Sequence, residues 1–219
     1  MTRQIEFASD EIYHVYNRGT EKRSIFSSRG DYERFLTLLY SCNQEERLDE
    51  RLSRYSLREA LELPRGSPLV DVAAYCLMPN HFHLILREIG VGGISKFMQK
   101  VITGYTMYFN KRHERNGALL QGKFKAVHAK DDRYLKYLIA YVHLNPVALT
   151  KTFEKETLSA LANLKSLERY PYSSYLDFSG VERPENKLID AKAMPEYFST
   201  PSEFKKHINE WLAYKLNTD

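Results

Sequence analysis

Two apolar runs separated by a two-residue break constrain this chain most. Val70-Asp71-Val72-Ala73-Ala74-Tyr75-Cys76-Leu77-Met78 reads as a strand, Pro79-Asn80 as a break, and His81-Phe82-His83-Leu84-Ile85-Leu86 as a second strand. Residues 11–17 are β-rich and give an earlier strand, and Phe124 to His128 gives a later one. Between them the apolar period switches to that of a helix. Tyr32, Phe35, Leu36, Leu39 and Tyr40 recur at helical spacing from Asp31, a candidate N-cap, to Asn43. Ile94, Phe97, Met98, Val101, Tyr105, Tyr108 and Phe109 step by three or four and predict a long helix over Ile94 to His113. Asp131 or Asp132 caps a further helix carrying Leu135, Leu138, Ile139 and Val142, and Pro146 ends it, because the residue before a proline is pushed out of the α region.

The order strand, helix, strand, strand, helix, strand, helix predicts an α+β fold. Its antiparallel sheet is ferredoxin-like or RRM-like, with helices packed on it. Residues 44–68 interrupt the pattern as a charged helical insertion that ends in Pro64-Arg65-Gly66-Ser67-Pro68. Residues 1–180 form the main domain and 181–219 a C-terminal extension. In that tail Thr200-Pro201-Ser202-Glu203 signals a final helix whose apolar face is Phe204, Ile208, Trp211 and Leu212.

Composition narrows the class. A hydrophobic content of 43% in 219 residues suits a folded globular protein. No apolar run is long enough to span a bilayer, and the first residues lack the apolar segment of a signal peptide. The two cysteines, Cys42 and Cys76, are too few for a disulfide scaffold, which makes the reducing cytoplasm the expected compartment. Net charge is only +4, but Lys96 to Lys136 holds ten Lys or Arg against three acids, a local +7. Such a segment is either a surface for a polyanion or a solvated helix face.

Four side chains stand out chemically. His81 and His83, two apart in a strand, share one face and can chelate a divalent ion, with Phe82 on the other. A packed or surface pair of histidines has the same spacing. Tyr141 and Asn145 lie one helical turn apart and can present a phenol and an amide to one phosphate. Tyr134 and Tyr137 share that helix, and all three tyrosines also fit as core or rim aromatics. Gly90-Val91-Gly92-Gly93-Ile94-Ser95-Lys96 has Ser95 where a P-loop needs glycine, so it reads as a hinge before a helix and no nucleotide cofactor is expected.

Taken together, the segments resemble the HUH single-tyrosine transposases (IS200-like), and within them the REP-associated group. The resemblance rests on His14-Val15-Tyr16-Asn17-Arg18-Gly19, on Tyr75-Cys76-Leu77-Met78-Pro79-Asn80-His81-Phe82-His83-Leu84, and on Tyr108-Phe109-Asn110 with Gln121-Gly122-Lys123-Phe124. It extends to Tyr141-Val142-His143-Leu144-Asn145-Pro146-Val147 and to Tyr172-Ser173-Ser174-Tyr175. It implies a nuclease and strand transferase that nicks and rejoins single-stranded DNA near hairpins through a covalent 5′-phosphotyrosine. It implies Tyr141 as the nucleophile and His81, His83 and Asn145 as ligands of Mg2+ or Mn2+, of which manganese suits imidazole better. Candidate DNA contacts in these resembling and basic segments are Arg18, Gln121, Lys123, Lys125, Lys111, Arg112 and Arg115. The Lys96–Lys136 surface is further expected to lower the pKa of Tyr141. The partner is single-stranded or hairpin DNA, bound by a monomer or homodimer in the cytoplasm at the nucleoid. A DNA-binding protein that has lost cleavage is the rival reading. A ferredoxin-like RNA-binding domain is a second, but its aromatic signature is absent.

Overall fold

The computed structural model describes residues 6–46, 54–149 and 160–218. Its centre is a four-stranded antiparallel sheet in the order β2-β3-β1-β4, built from β1 (Ile12–Arg18), β2 (Val70–Met78), β3 (His81–Glu88) and β4 (Lys125–His128). With α1 (Arg29–Ser41) after β1 and α3 (Gly93–Arg112) after β3, this is the ferredoxin-like arrangement expected from the element order. Of the 44–68 insertion, residues 47–53 lie outside the described residues, and α2 (Leu57–Glu62) follows them.

The strands alternate their side chains between two cores. On one face Tyr13, Val15, Tyr75, Leu77, Phe82, Leu84 and Leu86 pack against α1 and α3 through Phe35, Leu39, Phe97, Val101 and Tyr105. On the other, Ala74, Cys76, Met78 and Ile85 pack against α4 (Asp132–Leu144) and against the elements that follow it. These are α5 (Ala160–Glu168), the short α6 (Tyr175–Phe178) and α7 (Pro201–Thr218). The C-terminal helix is therefore packed, not pendant. Phe204, Ile208 and Leu212 are buried in one cluster with Leu135, Leu138 and Ile139 of α4, and Trp211 is half-buried at its rim. Its start is capped as the sequence predicts, Thr200 Oγ1 accepting from the Glu203 amide at 3.2 Å.

Local departures from the sequence reading have identifiable causes. Helix α1 begins earlier than Asp31, at an N-cap Ser28, because the Asp31 carboxylate accepts from the Ser27 and Ser28 amides at 2.9 Å each. Asn145 keeps α geometry (φ −54°, ψ −42°) despite the following proline. Its side-chain amide donates to the Tyr141 carbonyl at 2.8 Å and closes the last turn of α4. The Gly90–Gly93 hinge ends at Gly92, whose φ of 83° suits glycine. The amides that open α3 donate to the buried Glu88 carboxylate, Gly93 at 2.9 Å and Ile94 at 2.7 Å, so the protein's own anion fills that helix start.

The Tyr172-Ser173-Ser174-Tyr175 segment covers the exposed edge of β2. Leu77 N donates to Tyr172 O and Ser174 N to Tyr75 O, at 2.9 Å each. Ser174 Oγ also meets the fully buried His143 at 2.8 Å, while the other ring nitrogen of His143 donates to Ile139 O at 2.8 Å. Burial pushes the His143 pKa down to about 3. The folded protein therefore resists protonation of this ring, whereas the unfolded chain takes up the proton below about 6.5. Stability from the neutral ring is complete above that value and falls as the pH drops. We expect His143→Gln to have a shallower loss of stability than the parent between about pH 7.5 and pH 5, by about 2 kcal/mol. Urea denaturation at the two pH values measures it. Equal pH dependence in the two proteins would contradict it.

Candidate active site

The pairing of β1 with β3 builds the site. Tyr16 lies opposite His83 and Arg18 opposite His81, and alternation brings His14 onto the same face. That face looks toward α4, away from α1 and α3. His81 and His83 have ring centroids 4.9 Å apart, and the Tyr141 ring stands edge-on to His83 at 5.4 Å and to His14 at 5.8 Å. The structure thus brings His81, His83, Tyr141 and Asn145 together.

Each histidine is held through Nδ1. His81 Nδ1 meets Asn80 Oδ1 at 2.6 Å, and Asn80 in turn donates to the Lys22 carbonyl at 3.2 Å. The Pro79-Asn80 turn is fixed to the segment after β1, since Gly19 N donates to Asn80 O and Ile25 N to Pro79 O. Gly19 admits no side chain, because a Cβ there would lie 2.3 Å from the Arg23 carbonyl oxygen. His83 Nδ1 meets His14 Nε2 at 2.9 Å. With Nδ1 donating, the lone pair of His83 sits on Nε2, and that atom is buried with no hydrogen-bond partner. Leaving such a group unpaired costs about 1–3 kcal/mol.

Burial keeps these rings neutral. It lowers the His83 pKa to about 2, helped by His14 and His81, and that of His14 to about 4. His81 is shifted down by burial and by Arg18, and the Asn145 amide opposes the shift. Neutral imidazoles with free Nε2 atoms are the form that ligates a divalent ion. Among the described residues no three His, Cys, Asp or Glu side chains are grouped to hold a metal. An ion here would be held by the two imidazoles, with the Asn145 amide beside His81.

Several side chains fall differently from the sequence reading. Burial raises the Tyr141 pKa, as do Tyr137 and Tyr16, with only Asn145 lowering it. The lowering expected from the basic stretch is absent because that stretch is divided by the sheet. Lys111, Arg112 and Arg115 belong to the end of α3 and the turn after it, on the opposite side from Tyr141. Arg112 lies 3.6 Å from Asp31 and stands over Tyr108, and Arg115 stands over Phe109. Lys100 donates to the Gln44 and Glu46 carbonyls at 2.5 and 2.8 Å. Arg18, by contrast, lies across from His81, and Lys125 lies across from Tyr16 on the site's face. Gln121 is tied to that rim by its amide, which donates to Arg18 O at 2.8 Å, with exposed Lys123 two residues on.

Two residues escape sequence reasoning. His14 is the partner that orients His83, and Tyr16 stacks on His14 at 5.0 Å and reaches His83 at 6.0 Å. Both were visible only as alternate positions of β1, since their partner strand is some 70 residues away. Tyr16, not Tyr134 or Tyr137, is thus the other phenol beside the histidines.

No curated protein matches the chain in sequence. A solved structure of a REP-associated tyrosine transposase bound to a REP hairpin superposes with a TM-score of 0.54 at 10% identity, covering 91% of this chain and 99% of that one. That likeness establishes the shared fold. The family model described as "Transposase IS200 like" matches residues 9–145, a span from β1 through the paired histidines to Asn145. The chain belongs to the IS200-like family of DNA transposases.

Proposed function

We propose that the chain nicks and rejoins single-stranded DNA beside hairpins, with Tyr141 as nucleophile and a divalent metal, Mg2+ or Mn2+, at His81, His83 and Asn145. The observation that carries this reading is the buried Nε2 of His83, oriented by His14 and left without a partner 5.4 Å, ring to ring, from Tyr141. When bound, the ion supplies polarisation of the scissile phosphate and neutralises its charge. The rest belongs to the chain. Asn80 Oδ1 holds the His81 imidazole in one tautomer, and His14 orients the His83 ring. Arg18 and Lys125 offer positive charge to the strand at the same face. Tyr141 Oη gives up its proton and forms a bond to phosphorus as the bond from phosphorus to the 3′-oxygen breaks, and the leaving 3′-oxygen takes up a proton in turn. One ester replaces another, so rejoining needs no nucleotide cofactor. Among the described residues no helix is long and apolar enough to cross a membrane, and Cys42 and Cys76 are both buried and unpaired.

Tyr141→Phe removes one oxygen from a side chain 36% exposed, so folding and DNA binding should persist. We expect the covalent protein–DNA adduct to vanish on a denaturing gel for Tyr141→Phe and to remain for Tyr16→Phe and Tyr137→Phe. Loss of adduct in Tyr16→Phe alone would transfer the role to the strand tyrosine.

Metal affinity should follow the histidine network. Calorimetric titration with Mn2+ should detect no binding to the double variant His81→Ala/His83→Ala. Binding to His14→Phe should be about 10- to 100-fold weaker, partly restored in His14→Gln. Parent-like affinity in His14→Phe would remove His14 from its assigned role.

Substrate preference is tested by fluorescence anisotropy. A hairpin with an unpaired flank should bind more tightly than perfect duplex, and binding should weaken steeply with salt. Equal affinity for both substrates would count against the hairpin reading.

A further inference from the structure

Helix α4 carries large aromatic rings on the side that should be polar. Its core face is Leu135, Leu138, Ile139 and Val142, all buried. Tyr134, Tyr137 and Tyr141, at spacings of three and four, lie beside that core face: Tyr141 borders the histidines, Tyr134 is half-buried and Tyr137 is exposed. Successive rings are 6.0 Å apart between centroids and inclined by only 30° and 32°. The row continues onto α7 with the rings turned edge to face: Trp211 stands 5.2 Å from Tyr137 at 61°, and Tyr214 5.7 Å from Trp211 at 78°. Tyr137 is 37% exposed and Tyr214 62%. An aromatic row that is exposed at Tyr137 and Tyr214 and half-buried at Trp211 between them marks a binding surface more than a packing face does.

Resting on the nucleic-acid reading above, we propose that the ridge formed by Tyr137, Trp211 and Tyr214 is a stacking platform for the unpaired bases that flank the scissile phosphate. Three features select this occupant. The row starts at Tyr141 itself, so a strand whose phosphate reaches that oxygen has Tyr137 as the next ring along the helix, 6.0 Å away. Rings in series offer π-faces, which bases of any sequence can use, instead of the aliphatic pocket that a protein side chain would fill. Arg133 and Lys136 are exposed on the same helix, Lys136 standing over the Tyr197 ring, and supply charge for the backbone; of the acids at its start, Asp131 caps α4 and Asp132 is bonded to the Tyr197 hydroxyl at 2.6 Å. The platform also gives the C-terminal helix a role in substrate binding, beyond closing the core behind α4.

Trp211 is the chain's single tryptophan, so its fluorescence reports the ridge directly. The experiment uses the full chain carrying Tyr141→Phe, to separate binding from cleavage, and titrates it with a hairpin bearing an unpaired flank. Anisotropy of a dye on the DNA follows binding in parallel. We expect Trp211 to be quenched by the flanked hairpin and not by a blunt stem. Abasic sites in the flank should abolish the quench while the stem still binds. Tyr137→Ala should weaken binding about tenfold, and Tyr137→Phe, which keeps the ring, should not. Binding without quenching, or a quench that persists with the abasic flank, overturns the platform and leaves the nicking reading intact. Failure of every DNA to bind overturns both. The abasic substrates keep the test valid even where Tyr137→Ala fails to fold, because they leave the protein unchanged.

Discussion

The antiparallel register of β1 on β3 is the constraint from which the site follows. With Tyr16 opposite His83 and Arg18 opposite His81, His14, Tyr16 and Arg18 share one face with both histidines. A slip of one residue would turn that β1 set into the α1/α3 core and expose Tyr13 and Val15 in its place. The register is therefore enforced by apolar burial on one side of the sheet, while the chemistry is placed on the other. The welded Pro79-Asn80 turn and the close approach at Gly19 secure the same register at its end.

The second half of the site depends on α4 being held at one height above the sheet. Its apolar face is clasped by Phe204, Ile208 and Leu212 of α7, whose burial contributes on the order of 5–9 kcal/mol before ordering costs. The hydrogen bonds of His143 to Ser174 and to Ile139 add direction, because they connect the helix to the segment covering β2. Tyr141 sits on the opposite side of this helix from that support. It is accessible enough to react, yet its ring is steadied by His83 and His14. A neutral, buried histidine pair beside a phenol of raised pKa is an arrangement with little charge of its own. It suits a reaction in which a cation and a phosphate supply the charges.

Much of this was legible in the sequence where the information is local. The strand Val70–Met78, the shared face of His81 and His83, the long α3 helix and the capped start of α7 all follow from periodicity and end signals within one element. What the sequence hid is what depends on pairing across the chain. His14 has its partner in another strand, Glu88 caps α3 only after β3 has delivered it there, and Asp31 serves Ser27 and Ser28 instead of opening its own helix. The basic stretch misleads for the same reason. Contiguous in sequence, it is split in space, with Lys111, Arg112 and Arg115 behind the sheet and Lys125 at the site's rim.

The central claim is that the phenol facing the histidine pair, Tyr141, is the group that takes the DNA. Mapping the attachment point tests it without relying on substitutions. The parent protein is incubated with Mn2+ and a hairpin whose cleaved flank is too short to be held for rejoining. The trapped complex is then digested with nuclease and protease, and its peptides are sequenced by tandem mass spectrometry. The account predicts a nucleotide linked through its 5′-phosphate to the peptide containing Tyr141. Attachment at Tyr16 or Tyr137, or linkage through a 3′-phosphate, would contradict it.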